Sequence, residues 1–95
     1  MAKGYWIGHI SVTDPEKYEE YKSANAVAFS KYGGRFIVRA GNFKCVAGKA
    51  RERHVVIEFD SYAKAIECHD SPEYKAASEL LDSYSENDII IIEGN

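Results

Sequence analysis

Residues 53–59, RHVVIEF, carry the pattern on which the predicted fold depends. Val, Ile and Phe dominate this stretch, as they do in β-strands, and Asp60-Ser61 then supplies side chains that cap a helix. Side chains along a strand alternate between its two faces, which divides the stretch into two sets. The first set is Val55, Ile57 and Phe59. The second set is His54, Val56 and Glu58. Because Phe59 immediately precedes the helix, we expect the first set to pack under the helices.

Working outward from this strand, the sequence predicts three more strands and further helices. The predicted strands span residues 3–12, 35–41, 53–59 and 88–93, and helices follow Asp14, Ser61 and Ser71. The first helix ends at Gly33-Gly34, because glycine accepts the left-handed turn that closes a helix. The order β-α-β-β-α-β predicts a ferredoxin-like α+β domain: a four-stranded antiparallel sheet with its helices on one face. We expect a single domain over residues 1–95, with the first and third strands at the centre of the sheet.

The sheet face that points away from the helices is predicted to be largely apolar. Its predicted apolar members are Tyr5, Ile7, Ile37, Val56 and two of the isoleucines 89–92. Phe36 and Val38 are expected to face the helices instead. In a sheet with one solvent-exposed face, apolar and polar residues alternate along each strand. The strands predicted here do not show this alternation. The face measures roughly 300 Å² in projection, a large apolar patch for a small monomer. We therefore predict a homodimer through this open face, which would close two sheets into a dimeric α/β barrel.

Polar and charged side chains are also predicted on the open face. They are His9, Arg35, Arg39, His54 and Glu58. Charges buried between two sheets must be paired or must serve a ligand, which predicts a cavity there for a small organic or anionic molecule. Arg39 would clamp an anion, Arg35 and His54 would add ligand contacts, and Glu58 and His9 would transfer protons. The alternative for the arginines and Glu58 is an ion pair across strands at the dimer seam.

Asn25 lies on the buried stripe of the first helix, beside Tyr18 and Tyr21. A buried amide needs hydrogen-bond partners, so Asn25 is predicted to reach the mouth of the cavity and to contact the ligand. His9 alone is also typical of a hydrogen-bonded buried histidine. No metal site is predicted, because His9, His54 and Glu58 lack the spacing of metal ligands. No cofactor is predicted either.

Charge and composition argue against several function classes. The net charge is −3, and Glu52 interrupts the one basic cluster, Lys49, Arg51 and Arg53. This cluster is interpreted as a solvated loop, and a patch for a phosphate or an acidic ligand is the alternative. We therefore predict no nucleic-acid partner. RNA-recognition modules share this element order, but here His54 and Val56 stand where their aromatic residues would stack on bases. No long apolar run predicts membrane insertion. Two cysteines without a CxxC spacing are typical of a reduced protein, which we expect to be cytoplasmic.

Several stretches together resemble the bacterial family called domain of unknown function 1330. They are Gly4-Tyr5-Trp6-Ile7, Asp14 with Tyr18 and Tyr21, Tyr32-Gly33-Gly34-Arg35-Phe36, Val38-Arg39, Val55-Val56-Ile57-Glu58-Phe59, Ser71-Pro72-Glu73-Tyr74 and Glu93-Gly94. The resemblance implies the dimeric α/β-barrel superfamily, which includes cofactor-free monooxygenases, isomerases, dehalogenating and haem-using enzymes, and ligand-binding modules. It carries over no catalytic residue.

Two functional hypotheses follow. The first is a cofactor-independent enzyme that acts on a small organic molecule in the barrel cavity. The second is a non-catalytic dimer that binds or senses a small ligand there. Both need the same pocket, so the sequence does not separate them.

Overall fold

A computed structural model describes residues 2–95, which form one antiparallel sheet covered on one face by helices. The elements are β1 Gly4–Val12, α1 Pro15–Tyr32, β2 Arg35–Arg39, β3 Arg53–Phe59, α2 Tyr62–Asp70, α3 Pro72–Tyr84 and β4 Ser85–Glu93. The strand order is β2-β3-β1-β4, so the ferredoxin-like prediction, with the first and third strands central, is confirmed. None of the helices in this part of the chain combines the length and apolar composition needed to cross a membrane.

Capping residues fix where α1 begins and ends. The Asp14 side chain accepts a hydrogen bond from the Lys17 amide at 3.1 Å, which satisfies one of the free N–H groups of the first turn. At the other end Gly33 adopts φ 73°, and the Gly34 amide donates to the Phe29 carbonyl at 2.8 Å. These caps hold α1 across the sheet at the position where the candidate site forms.

Trp6 of β1 is the centre of the core between the sheet and the helices. Its side chain is 1% exposed, and its indole Nε1 donates to the Ala65 carbonyl of α2 at 2.9 Å. Phe29 and Tyr74 meet the indole edge-on at centroid distances of 5.1 and 4.7 Å. Aromatic pairs in this geometry stabilise a core beyond their buried area. Trp6 therefore ties β1 to all three helices.

Tyrosines on α1 and α3 share a buried hydrogen bond. The Tyr21 and Tyr74 hydroxyl oxygens lie 2.9 Å apart. Burial raises the pKa of Tyr21 to about 12, although the hydrogen bond with Tyr74 acts in the opposite direction. Burial also raises the pKa of Tyr74 well above its ordinary value. Both hydroxyls therefore stay protonated at neutral pH and hold the two helices together.

A β-bulge in β2 overturns part of the predicted side-chain pattern. Phe36 is the register partner of Ile57, but the next register pairs are Val38 with Val56 and Arg39 with Val55. The extra residue, Ile37, shifts the alternation by one position. The prediction that Val38 faces the helices and Arg39 faces the open side was therefore wrong. Val38 lies on the open face, and Arg39 lies on the helix side.

The open face of the sheet is organised in three rows that run across the strands. The first row is Arg35, Glu58, Tyr5 and Ile92. The middle row is Ile37 with Val38, then Val56, Ile7 and Ile90. The third row is His54, His9 and Asp88. The middle row is entirely aliphatic, and the two rows beside it contain all the charged and imidazole groups. Ile37, Val38, Ile90 and Ile92 are 43–54% exposed in the single chain.

Candidate functional site

A cleft lies between α1 and the helix side of the sheet. Apolar and aromatic groups make up most of its lining, together with Gly8 of β1 and a few polar side chains. The cleft contains about 400 Å³ of unoccupied space when the volume at its open mouth is included. The centre of a water-sized molecule can occupy only about 20 Å³ of that space. The enclosed part thus holds roughly one water molecule in this conformation. The predicted cavity between two open faces is a different place, on the other side of the sheet.

Asn25 is the buried polar residue of this cleft. It projects from the middle of α1, is 5% exposed, and its Oδ1 is buried without a hydrogen-bond partner. The side chain sits among the rings of Trp6, Tyr21 and Phe29, which line the same cleft. An unpaired buried amide oxygen costs free energy, because water no longer solvates it. Asn25 is therefore placed to bind a group that enters the cleft.

Two arginines line the cleft without a carboxylate partner. Arg53 precedes the apolar run of β3, and its Nε is buried without a hydrogen-bond acceptor. Arg39 follows the bulge in β2, and its guanidinium carbon lies 4.4 Å from the centroid of the Phe36 ring. Neither guanidinium forms an ion pair with a carboxylate of residues 2–95. Both positive charges are therefore available to an anion.

The remaining polar groups of the cleft leave it positively charged. Lys22 lines it and pairs with Glu19 at 2.8 Å, and Tyr18 lies under Arg53 with 5.6 Å between the guanidinium carbon and the ring centroid. Burial raises the pKa of Tyr18, which therefore stays neutral. No Asp or Glu is among the lining residues. The cleft is thus a basic site on a chain whose net charge is −3.

On the open face, Arg35 and Glu58 form a direct ion pair between β2 and β3. Arg35 Nη2 lies 2.7 Å from Glu58 Oε1, and the Tyr5 hydroxyl donates to Glu58 Oε2 at 3.1 Å. Arg35 also contacts Asp60 at 3.4 Å. The Arg35 guanidinium, and secondarily the Tyr5 hydroxyl, hold the pKa of Glu58 below its ordinary value. Arg39, predicted to join this group, lies on the opposite side of the sheet.

His9 and His54 meet at the other end of the open face. Their Nδ1 atoms are 2.8 Å apart, so one ring donates a hydrogen bond to the other. Phe43, from the segment between β2 and β3, covers His54 with 4.4 Å between the ring centroids. His54 Nε2 is buried without a hydrogen-bond partner. The hydrogen bond between the two imidazoles joins β1 and β3 across the open face.

The structure thus separates the predicted site residues into two groups. Arg39 and Asn25 lie in the cleft, whereas His9, Arg35, His54 and Glu58 lie on the open face. Within residues 2–95, no three His, Cys, Asp or Glu side chains converge as metal ligands do. The cysteine on α2, Cys68, is buried, and burial raises its pKa to about 12, so its thiol is inert as a nucleophile.

Arg53, Lys22 and Tyr18 were not predicted as site residues. The sequence places Arg53 in a basic cluster with Lys49 and Arg51, interpreted as a solvated loop with a patch for a phosphate or an acidic ligand as the alternative. Its position in β3 offered the missing signal, because residue 53 shares its strand face with Val55 and Ile57. A charged residue that begins a buried apolar set has to be accommodated at the edge of the core.

The fold recurs in solved structures of low sequence identity. RPA0582, a protein of unknown function from Rhodopseudomonas palustris, has a TM-score of 0.77 at 15% identity, and the match covers 96% of this chain and 81% of that one. SnoaB, a cofactor-independent oxygenase from Streptomyces nogalater, has a TM-score of 0.67 at 11% identity, over 100% of this chain and 95% of that one. A dimeric ferredoxin-like protein of unknown function from Thermobifida fusca YX has a TM-score of 0.56 at 17% identity, over 97% and 89%. At these identities the likeness shows the fold alone.

No curated protein matches the chain by sequence. A protein family does match, and the match covers residues 3–95, which include every element from β1 to β4 as well as the cleft and the open face. The chain therefore belongs to the family described as Domain of unknown function (DUF1330).

Proposed function

We propose that this protein is a homodimer that binds a small organic molecule in the cleft between α1 and the sheet. The observation that carries the proposal is the pair of buried polar atoms without partners in that cleft, Asn25 Oδ1 and Arg53 Nε. Buried polar groups in folded proteins are nearly always hydrogen-bonded, and the exceptions call for a missing partner. Apolar walls with a few convergent polar groups are the usual lining of a small-molecule site.

The test is a search for ligands that reports from inside the cleft. Trp6 is the chain's single tryptophan and lines the cleft, so a bound molecule changes its fluorescence. Side-chain NMR signals of Asn25 and Arg53 should shift with the same midpoint. Saturable binding that Asn25→Leu weakens would support the proposal. Ligands that bind only elsewhere, with the Asn25 and Arg53 signals unmoved, would overturn it.

The homodimer part of the proposal is supported by the arrangement of the open face. Its middle row is aliphatic across all four strands, and the charged and imidazole groups lie in the rows on either side. An apolar centre with a polar rim is the usual anatomy of a protein interface. A second copy is the occupant that fits best, because two-fold pairing sets aliphatic row against aliphatic row. The solved relative from Thermobifida fusca is described as dimeric.

Charge substitution in the middle row tests this interface. We expect the wild-type chain to sediment at twice its 10.7 kDa mass and Ile90→Asp to sediment as a monomer. Val27→Asp is the matched control, because Val27 is 61% exposed on α1, away from the open face. This control should remain dimeric. A folded wild-type monomer at micromolar concentration, or a dimer that Ile90→Asp leaves intact, would contradict the proposal.

The second candidate function is cofactor-independent oxygenation of the bound molecule. Its support is the likeness in fold to SnoaB, together with an apolar cleft whose arginines stabilise an anionic reactant. The proposed proton-transfer residues, His9 and Glu58, lie on the open face and not in the cleft. Glu58 is held ionised by Arg35, and a carboxylate with a lowered pKa is a weak general base.

Oxygen uptake measures this second function directly. A ligand found in the cleft is incubated with the protein, and dissolved oxygen and products are followed. Turnover that His9→Ala and Glu58→Gln abolish would place the reaction on the open face and would contradict oxygenation in the cleft. Turnover that survives both substitutions would remove these residues from the chemistry. Binding without oxygen uptake would leave a binding protein.

A further inference from the structure

We propose that the ligand of the cleft is a small organic acid: a carboxylate meets Arg53 and Arg39, and an apolar body lies among the aromatic and aliphatic side chains. This inference rests on the proposed function, because it names the ligand class of the same cleft. It depends on charge and on unpaired atoms, and both are properties of this chain's own residues.

The arginines of this chain divide into two pairs. Arg35 and Arg51 are neutralised: Arg35 by Glu58 at 2.7 Å, and Arg51 by Asp88 at 2.9 Å. Arg39 and Arg53 have no carboxylate partner in residues 2–95, and both line the cleft. A chain with more acidic than basic residues can readily neutralise a guanidinium, as it does for the first pair. Because no Asp or Glu lines the cleft, we expect the ligand to supply the negative charge that neutralises Arg39 and Arg53.

The buried atoms define the head group. Arg53 Nε is a donor without an acceptor, and the planar guanidinium binds a carboxylate through two parallel hydrogen bonds. Arg39 supplies a second guanidinium from the neighbouring strand. Asn25 adds an amide that meets a second polar atom of the ligand in either orientation, because rotation by 180° exchanges its oxygen and nitrogen.

The lining limits the ligand to a single anionic group with an apolar remainder. Trp6, Ile10, Phe29 and Ile57 form the walls of the cleft and offer no hydrogen bonds to a second charged group beyond those at the arginines. Lys22, the third cation, is already paired with Glu19 at 2.8 Å, which leaves the two arginines as the unpaired cations of the lining. A carboxylate on an aryl or branched alkyl body fits this combination.

Entry requires the rim of the cleft to move. The enclosed space of about 20 Å³ is too small for an organic acid in this conformation. Arg39 is the rim group that can move, because its side chain is exposed and its guanidinium lies against the Phe36 ring without an ion pair in residues 2–95. Rotation of the arginine away from the ring opens the mouth and brings the guanidinium to the incoming carboxylate.

The experiment compares acids with neutral molecules of the same shape. Phenylacetate, 4-hydroxybenzoate and 3-methylbutyrate are titrated against phenylacetamide, 4-hydroxybenzamide and 3-methylbutyramide, with calorimetry and Trp6 fluorescence as readouts. We expect at least one acid to bind about tenfold or more tightly than its amide, because charged hydrogen bonds are stronger than neutral ones. The difference should shrink as salt concentration rises.

Substitutions locate the effect. Arg53→Met and Arg39→Met should each remove most of the acid's advantage over its amide, while Lys75→Met makes the same change in charge on α3 and should leave it intact. Because Arg39 is exposed, the Arg39→Met variant is expected to fold. If Arg53→Met fails to fold, Arg39→Met alone decides the test. Amides that bind as tightly as acids, with cleft NMR signals shifting, would overturn the acid assignment and leave the proposed function standing. No binding by any of the six up to about 10 mM would overturn the acid assignment, and a wider search without cleft ligands would overturn the proposed function as well.

Discussion

The guanidinium of Arg39 stacks on the ring of Phe36, three positions earlier in the same strand, at 4.4 Å from its centroid. On a regular strand, residues three apart point to opposite faces of the sheet. The contact exists because the bulge at Ile37 returns Arg39 to the face that Phe36 occupies. The same contact places the guanidinium of Arg39 among the side chains that line the cleft.

A double-mutant cycle measures this contact. We expect Arg39→Ala and Phe36→Leu to show a coupling of about 0.5–1 kcal/mol in the free energy of unfolding, the usual size for an exposed cation–π pair. Urea denaturation of the four proteins, at one protein concentration, provides the value. The matched control pairs Arg35→Ala with Phe36→Leu, two neighbours on opposite faces, and should show no coupling. Zero coupling between positions 36 and 39 would mean that the bulge is absent in solution.

Asn25→Leu is expected to stabilise the protein and to weaken ligand binding. Leucine has nearly the same size and fills the space without an unpaired polar atom, so the free energy of unfolding should rise by about 1 kcal/mol. Thermal and urea unfolding measure the change, and Trp6 fluorescence follows the loss of binding. A large destabilisation would show instead that the amide is fully hydrogen-bonded inside the cleft and serves the fold.

Glu58→Gln should change how stability depends on pH. The folded-state pKa of Glu58 is lowered, mainly by Arg35, so its ionised form stabilises the fold at pH values above the ordinary glutamate pKa of 4.5. That contribution is lost as the pH falls through the lowered folded-state pKa. Wild type should therefore exceed the variant in stability at pH 7, and the difference should disappear in strong acid.

The control for this measurement is Glu67→Gln, because Glu67 makes only an exposed 3.8 Å contact with Lys64 on one turn of α2. Its stability difference from wild type should be small at every pH. A Glu58→Gln difference that is the same at pH 3 and pH 7 would show that the Arg35 pair does not hold the charge of Glu58.

Gly4→Ala should be strongly destabilising, because β1 passes directly under the start of α2. A Cβ at Gly4 would lie 2.5 Å from the Ser61 carbonyl oxygen and 2.7 Å from Tyr62 Cα, both of them backbone atoms. Neither can move without shifting the helix cap, so we expect a loss of about 1–3 kcal/mol or more in the free energy of unfolding. Gly41→Ala is the control: a Cβ there meets nothing within 4 Å and should change stability by less than about 0.5 kcal/mol. Equal effects at the two positions would contradict the close approach of β1 and α2.

The sequence predicted the fold and most side-chain faces because burial and turn chemistry agree along this chain. In β3 the set Val55, Ile57 and Phe59 is buried at 7% exposure or less, as expected from the helix that follows Phe59. Ile90 and Ile92 are the two isoleucines of β4 that reach the open face. Wherever a strand is regular, side chains alternate with a period of two residues, and this alternation determines which face of the sheet each residue occupies.

Neither the bulge in β2 nor the cleft could be predicted from the alternation of residues in the sequence. Residues 35–39, RFIVR, contain no residue that marks a bulge, because this bulge depends on how the backbone pairs with β3 and not on residue type. The cleft depends on which of two arginines, 51 and 53, faces the core, and on where carboxylates are missing. A sequence does not show which arginines lack a carboxylate partner. The positive charge of the cleft is therefore evident only when the side chains are placed in the structure.

The single extra residue at position 37 decides which compartment of the molecule receives a positive charge. With Ile37 in place, Arg39 lies on the cleft side of the sheet, and the open face stays aliphatic at its middle. Deleting that one residue would turn the guanidinium to the open face and strip the cleft of half its unpaired arginine charge. The register of one short strand thus sets how much positive charge each side of the sheet carries.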